Sequence, residues 1–551
     1  MLEKNKKNIF MRAFDFLHEH IIVVIIIIVV LAGGLSTLYI VEENQIKKNN
    51  AATDGVEYTE SDTVYFAMDK AETLNPYTSS SEDVYYISQL IYSSLFTLDS
   101  SLSPVPDLVD HYTAHKNDGT VSIELKKDIR FSNGDSLTSQ DVSRSLDFIK
   151  REGEECPYYN YASKISHIIP EGEHSLKVVF KDKNDAAIDN LVFPIVCASE
   201  YDRDKNNVPG SGPYRNKKYD SHKALYLRPN KHYYGEKPEN KIEIKVLPDK
   251  RKAVNLMEID AVTSCFLEIQ DADMVAEDFH FRETPVVSSE AEYLGFNFDN
   301  YILSHKEMRQ AIAYAINTDS IIKDNYGGAG VPSDTIYYPG FLGTENKGDV
   351  YQYNQSKALE ILDDLGYKDR DEDGVIENKK GKDLDFKIIV NKNDKNRVLT
   401  AKQVSTELRQ IGIRSEVKKL SWDEYVKALE NGKFDLYLGG YEFDKQYNLK
   451  KLFEKGNTLR YNNIALLNDI KKLETALTAD KQKKTYEKIQ ETLIEEIPYY
   501  CLCYKTYAFL TVEHFESESV PTFFDRFRGC QSWKWEKVIP EDKPEEDTEE
   551  Q

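Results

Sequence analysis

Phe434, Leu436 and Leu438 alternate with Asp435 and Tyr437, the period-two pattern of a strand with one buried face. Gly439 and Gly440 are expected to stop that strand, where backbone approaches something closely. Tyr441 and Asp444 follow at once. An aromatic face beside a carboxylate suits a small cationic ligand. The plainer reading is a Gly-Gly turn with a solvated aspartate, and the local pattern alone leaves both open.

The same patterning lays out the flanking elements. Ala358, Ile361, Leu362 and Leu365 mark a helix ended by Gly366. A strand follows (Phe386, Ile388, Val390), then a helix from Val398 to Ile411 and a strand from Ile413 to Val417. A short helix capped by Ser421 and Glu424 ends at Gly432 and leads back to the opening stretch. This β-α-β-α-β order predicts parallel pairing, with ligands beyond the carboxyl ends of the strands. Ser304 and Glu307 are expected to cap a helix carrying Met308, Ile312, Ala315 and Ile316. Residues 465–497 read as charged helix, and Tyr499 to Val512 as one long apolar strand after Pro498.

Earlier, residues 62–68 read as a strand, Leu74 to Tyr77 as a turn and residues 83–97 as a helix. Asn117-Asp118-Gly119 signals a hairpin into a strand from Val121 to Leu125. Phe131 to Asp135 is a tight turn, and Thr138 with Asp141 forms a capping box for a helix striped by Val142, Leu146 and Ile149.

Near the N-terminus, Ile21 to Val41 is uncharged and almost wholly apolar; 21 residues at ~1.5 Å each match the ~30 Å hydrocarbon core. Lys4, Lys6, Lys7 and Arg12 precede it, which places residues 1–20 in the cytoplasm and the rest outside. An uncleaved anchor fits its length and the poor cleavage site at Ser36-Thr37-Leu38 better than a cleaved signal peptide. Residues 42–60 are polar and read as a stalk. The expected location is the cell membrane, single-pass, with the C-terminal domain extracellular.

Composition narrows the function. A chain of 551 residues exceeds one ordinary core, so several domains are expected. A net charge of −23 argues against nucleic acid. Part of it lies in residues 539–551, acidic and expected to be disordered. The six cysteines do not have the spacing of a disulfide-rich scaffold; Cys501 and Cys503 read as buried small hydrophobes on one side of a strand.

No catalytic motif appears: there is no His-Glu-x-x-His or Gly-x-Ser-x-Gly, and Gly327 to Gly330 lacks the rest of a phosphate loop. His111 and His115 fall in a loop-like stretch without a third ligand and read as solvent-facing. Asp369, Asp371 and Asp373 open like a calcium loop, but Lys380 stands where a bidentate glutamate is needed. They read as an acidic turn before a hairpin, with weak calcium binding left open. No metal site, cofactor or catalytic residue is expected, and the chain is not read as an enzyme.

A series of motifs then occurs in order: Leu74-Asn75-Pro76, Val105-Pro106-Asp107-Leu108, Asp118-Gly119, Ile129 to Gly134, Thr138 to Val142, Gly210-Ser211-Gly212-Pro213-Tyr214, Arg228 to Gly235 and Met308 to Ile316. Together, over roughly residues 62–535, they resemble family 5 extracellular solute-binding proteins, the peptide-binding components of ABC importers. The resemblance implies an α/β, two-lobed periplasmic-binding-protein-like fold of the large peptide-binding variety (type II), with a hinge, behind the N-terminal transmembrane helix. It implies lobe 1 at 61–295, lobe 2 at 296–498 and a return to lobe 1 at 499–538, with hinge crossings near 290–300 and 498–504. It implies a peptide ligand, an ABC permease partner and a monomeric ectodomain. Asp444, three residues after Tyr441, holds the family's spacing for pairing with a ligand α-ammonium. Tyr stands where the family usually has Trp, and Gln446-Tyr447-Asn448 replace the usual acidic-Pro that follows. Tyr77 to Ser81 resemble the strand that pairs with peptide backbone, so Gly440, Tyr441, Asp444, Ser80 and Ser81 are the expected contacts. Another solute (nickel chelate, sugar or opine) and a peptide-sensing receptor ectodomain are the alternative readings.

Overall fold

Val64, Phe66 and Met68 alternate with half-exposed neighbours, so one face of β1 (Thr63–Asp69) is buried. In this computed structural model, residues 58–115, 117–183, 187–203, 206–268, 281–346, 348–443, 449–475 and 478–538 are described. The expected membrane segment 21–41, the acidic tail and Asp444 lie outside the described residues. Among the described residues, no helix is long and apolar enough to cross a membrane. The chain divides into two units, residues 1–60 with 536–551 and residues 61–535. In the first, residues 58–60 and 536–538 belong to strands, so the expected stalk ends in extended, hydrogen-bonded structure.

The second unit begins with β1 and the helix α1 (Glu82–Ile91). The Asn-Asp-Gly hairpin joins β2 (Val109–His115) to β3 (Thr120–Leu125), and α2 (Ser139–Glu152) carries the capping box of Thr138 and Asp141. With β4 (Ile165–Pro170) and β5 (Ser175–Phe180) these strands form a sheet in the order β2-β3-β5-β4. His111 and His115 lie on β2 rather than in a loop, and both face solvent.

A second four-stranded sheet runs β1-β8-β7-β6, where β6 is Tyr214–Asp220, β7 Ala224–Pro229 and β8 Lys241–Leu247. The Gly210-Ser211-Gly212 turn before β6 lies against the end of α1. A Cβ at Gly210 would stand 2.0 Å from the Ile91 carbonyl oxygen, so only glycine fits there.

The third sheet positions the candidate site. Its main path is β9-β14-β10-β13-β11-β12, with β9 Ser264–Glu268, β10 Phe281–Phe296, β11 Asp385–Asn391, β12 Arg414–Leu420, β13 Leu436–Glu442 and β14 Tyr499–Val512. The expected parallel unit is present: β11 pairs in parallel with β12 and β13. Its crossovers are α3 (Lys395–Gln410) and α4 (Trp422–Glu430), the latter with the Ser421–Glu424 capping box. Leu436 and Leu438 enter a core with Phe386, Ile388 and Val390 of β11 and Ile312 of the helix Lys306–Ala315. Tyr437 turns to the other core with Ile389 and Tyr293. β13 is therefore buried on both faces, and the expected one-sided strand does not hold.

Two long strands span this sheet. β14 pairs with β9 at one end, and β10 pairs with β13 at the other. Between them β10 and β14 pair antiparallel from Phe281↔Val512 to Gly295↔Tyr499, with register shifts after Val287 and Glu292.

The helix Lys306–Ala315 starts one residue later than a Ser304 cap requires. His305 is its N-cap, and the Ser304 hydroxyl donates instead to the Tyr301 carbonyl at 2.7 Å. Arg309 of this helix is fully buried. Its Nε donates to the Glu496 carbonyl at 2.9 Å and its Nη1 to the Leu303 carbonyl at 2.8 Å, which satisfies the last turn of the helix Ala479–Glu496.

Candidate functional site

The glycines do not stop β13. The strand continues through Gly439 and Gly440 to Glu442, with Tyr293↔Gly439, Glu292↔Gly440, Ala291↔Tyr441 and Glu290↔Glu442 as partners on β10. The close approach expected at the glycines is real, but a side chain makes it. A Cβ on Gly440 would stand 2.0 Å from Arg397 Nη2 and 3.2 Å from the Ala291 carbonyl oxygen.

Arg397 is fixed there by Glu292. Its Nε and Nη2 donate to the two carboxylate oxygens at 2.7 and 2.9 Å, a bidentate pair whose acid is 1% exposed. Burial alone would lower the Arg397 pKa; Glu292, and then Asp394, more than reverse that and hold it raised. The Tyr326 hydroxyl donates to Glu292 at 3.2 Å, and Lys505 Nζ lies 3.3 Å from Glu292 and 2.8 Å from Glu290. Burial also works against the Lys505 charge, and Glu292 and Glu290 again outweigh it.

Glu290 and Glu292 are thus matched by Lys505 and Arg397. Glu442, at the end of β13 and opposite Glu290, has no salt bridge among the described residues. Its carboxyl is held above the usual glutamate range by burial first, then by Glu290 and Glu82. Glu82 opens α1, so the end of β13 and the start of α1 lie within electrostatic reach of each other.

At that helix start Ser80 is exposed, and Ser81 is the N-cap, its Oγ accepting from the Val84 N–H at 3.5 Å. Residues 77–81 are a turn and connecting chain, not a strand. Tyr77 is buried with its hydroxyl on the Pro194 carbonyl at 2.5 Å, and the Ser79 N–H returns to the Asn75 carbonyl at 3.1 Å. A segment folded back on itself offers no free row of N–H and C=O groups. Beside it, Arg526 Nη2 donates to Glu82 at 2.7 Å, and its guanidinium lies 3.9 Å from the Tyr86 ring centroid.

Aromatic rings connect the two sides. Tyr441, half-buried, meets Phe443 edge-on at 4.7 Å, and Phe443 stacks on Tyr504 of β14 at 5.9 Å. Tyr338 meets Tyr504 at 5.7 Å and Phe524 at 5.4 Å. Ring faces near Glu442, the acid of this group without a salt bridge among the described residues, make a surface suited to a cation.

Gly440 and Tyr441 therefore sit within β13, Gly440 against Arg397, and only Glu442 at its end is in electrostatic reach of α1. Ser81 is occupied as a cap, Ser80 faces solvent, and Asp444 lies outside the described residues. The Glu292–Arg397 pair, Lys505, Glu442, Glu82 and Arg526 were missed by sequence reasoning. Gly439-Gly440 inside an apolar strand was the one signal for the first of these.

Other candidates resolve simply. Asp369, Asp371 and Asp373 bring carboxylate oxygens within 4.8 Å of one another on the surface. Asp369 and Asp373 accept from the N–H groups of Gly374 and Val375, as an acidic turn should. All six cysteines are buried free thiols, and burial pushes Cys501 and Cys503 up, as expected of small hydrophobes.

Comparison with known proteins agrees with this architecture. The profile of "Bacterial extracellular solute-binding proteins, family 5 Middle" matches residues 103–456. The oligopeptide-binding protein AppA of Bacillus subtilis is 25% identical over 451 residues, 76% of this chain and 81% of its own. The dipeptide-binding protein of Escherichia coli is 20% identical over 418 residues, 69% of this chain and 76% of its own. Among solved structures, the murein tripeptide binding protein MppA in its unliganded open form aligns at a TM-score of 0.72 with 15% identity, over 88% of this chain and 99% of that one. A nickel ABC transporter protein of Bacillus halodurans aligns at 0.71 with 18% identity, over 85% and 98%. The fold is the two-lobed α/β fold of periplasmic binding proteins, and the chain belongs to the bacterial extracellular solute-binding proteins of family 5.

Proposed function

We propose that this protein is the substrate-binding component of an ABC importer, closing two lobes on a peptide and delivering it to a membrane permease. The observation that carries the peptide reading is the end of β13. Glu442, without a salt bridge among the described residues, lies within electrostatic reach of Glu82 at the start of α1, with Tyr441 and Phe443 as ring faces next to it in the chain. Such a surface favours a ligand with an ammonium group, and peptide-binding relatives share the family. Asp444 supplies the direct partner of that ammonium in this reading. Residues 61–295 and 499–538 form one lobe and 296–498 the other, with β10 and β14 as the crossings. Residues 21–41 anchor the protein and leave a monomeric ectodomain outside the cell. The protein binds and releases its ligand without chemistry, in keeping with relatives that are binding proteins.

The test is native mass spectrometry of the purified full chain, with identification of any co-purified ligand. A mixture of short peptides that disappears in Asp444→Ala is the expected result. A single non-peptide species, such as a metal chelate, would move the function to another solute. A protein that no peptide pool can fill would overturn the reading.

A further inference from the structure

Away from the two crossing strands, the proposed lobes meet again at a small cavity. Leu98, Leu102 and Asp189 line it from lobe 1, and Tyr337, Leu342 and Gln482 from lobe 2. Among the described residues, none from β10 or β14 lines it. The Leu342 N–H donates across the contact to the Ser101 carbonyl at 2.7 Å. Gln482 Nε2 reaches Asp189 Oδ2 at 3.5 Å, too far to hold much.

Both leucines at the contact are held in the left-handed region, Leu102 at φ 65° and Leu342 at φ 53°. A Cβ makes that conformation costly, and leucine, unlike asparagine, has no side-chain hydrogen bond to offset it. Each is fixed by its own turn. Asp99 accepts from the N–H groups of Ser101 and Ser103 at 2.8 and 3.0 Å and so curls the chain around Leu102. On the other side Gly340 and Gly343 take left-handed φ values of 79° and 66°, with Leu342 between them. What the strain achieves is burial: each leucine is 5% exposed, and the two side chains line the same space.

That space is imperfectly filled. It keeps a void of about 30 Å³. Asp189 Oδ1, Gln482 Oε1 and the Tyr337 hydroxyl are buried without a hydrogen-bond partner. Strained backbone, unfilled space and unpaired oxygens all subtract from what the apolar contact gains. A contact between two lobes with so little left over holds while they are together and parts when they are pulled. We propose that Leu102 and Leu342 form a latch between the lobes, made in this structure and broken each time the lobes move apart. On parting, both turns are free to relax and the three oxygens reach water, so the open form recovers what the contact cost. The latch rests on the lobe boundaries given above, and it biases the unliganded protein toward the joined arrangement.

The test needs no ligand, so its outcome is separate from that of the peptide reading. The six native cysteines are all buried free thiols, and in the full chain they set the baseline for reaction with a water-soluble disulfide reagent. Leu102→Cys and Leu342→Cys, made separately, place one new thiol on each side of the contact. Native thiols that keep the parent's rate in each variant report an intact fold. Both new thiols should react at least about tenfold faster than the native six, because parting the latch exposes them without unfolding a lobe. Their rates should also agree within about twofold, since one opening uncovers both. New thiols that react no faster than the native ones would overturn the proposal, and so would reaction on one side alone, the mark of a fraying turn. Small-angle X-ray scattering then reads the lobes themselves. Leu102→Asp places a charge in the contact and should raise the radius of gyration of the folded protein. A folded variant with the parent's radius would overturn the latch, because the lobes would be held without it.

Discussion

Arg397 holds Glu292 through two hydrogen bonds directly behind Gly440, and the strand carries glycine there because the guanidinium lies where a Cβ would go. Gly440→Ala cannot be absorbed by a small shift of Arg397, whose other face is committed to a buried carboxylate. The expected loss is ~1–3 kcal/mol, the usual cost of overpacking a filled site. The urea midpoint of the variant against its parent measures it.

The ion pair itself should behave asymmetrically. Glu292→Gln or Arg397→Met alone leaves a buried charge without its partner and should cost ~3–5 kcal/mol. The double variant should recover a large part of that loss. A double-mutant cycle on unfolding free energies reads the coupling, and additivity of the two losses would contradict the geometry.

Glu442 gives a pH signature. Its carboxyl is held above the usual glutamate range, so it takes up a proton sooner than a free glutamate as pH falls. A cationic peptide should lose its attraction in mildly acidic buffer rather than only in strong acid. Linkage fixes the sign for stability: an acid raised in the folded state favours folding while protonated, and that contribution is lost as pH rises through its folded pKa. At neutral pH, Glu442→Gln should therefore unfold no earlier than the parent without ligand. It should also bind a cationic peptide roughly two- to fivefold more weakly, the scale of a solvent-screened pair. Calorimetric titration at two pH values, with thermal unfolding alongside, separates the two effects.

Ser81 and Tyr441 should part company. Ser81→Ala removes a helix cap and should cost about 1 kcal/mol or less, with ligand affinity unchanged. Tyr441→Ala should lower affinity for a cationic ligand, since it removes the ring face beside Glu442. Affinity and midpoint measured on both variants check the pair.

Arg309 should resist conservative replacement. Lysine keeps the charge but not the planar fork that reaches both Glu496 and Leu303. Arg309→Lys should lose on the order of 2 kcal/mol or more from carbonyls left short of donors. Denaturant unfolding followed by tyrosine fluorescence measures it.

Features set within a few residues were legible in the sequence. The capping boxes at Thr138–Asp141 and Ser421–Glu424 formed as expected, and β14 begins and ends at the expected residues. The alternation of strand and helix around β11 also gave parallel pairing. Long-range features were not legible. Glu292 and Arg397 lie 105 residues apart and Glu290 and Lys505 215, and no local spacing announces either pair. Ser304 and Glu307 had cap spacing, but the Tyr301 carbonyl took the serine hydroxyl and moved the helix start. Tyr77 to Ser81 failed as a strand because Tyr77 is drawn inward to Pro194, a contact 117 residues away.

The register shifts in the β10–β14 ribbon carry a mechanical consequence. Within the irregular stretch between Val287 and Tyr293 the two strands lose register with each other, yet β10 keeps its pairing to β13 from Glu290 on and β14 is paired by Gly330 and Val331. A load applied to either end of the ribbon is therefore shared there with the neighbouring strands, as in a leaf spring clamped at one section. Glu290 and Glu292 sit on that section, with Lys505 across from them. The clamp is thus made of backbone pairing and of ion pairs around a buried acid, and added salt should leave it largely in place.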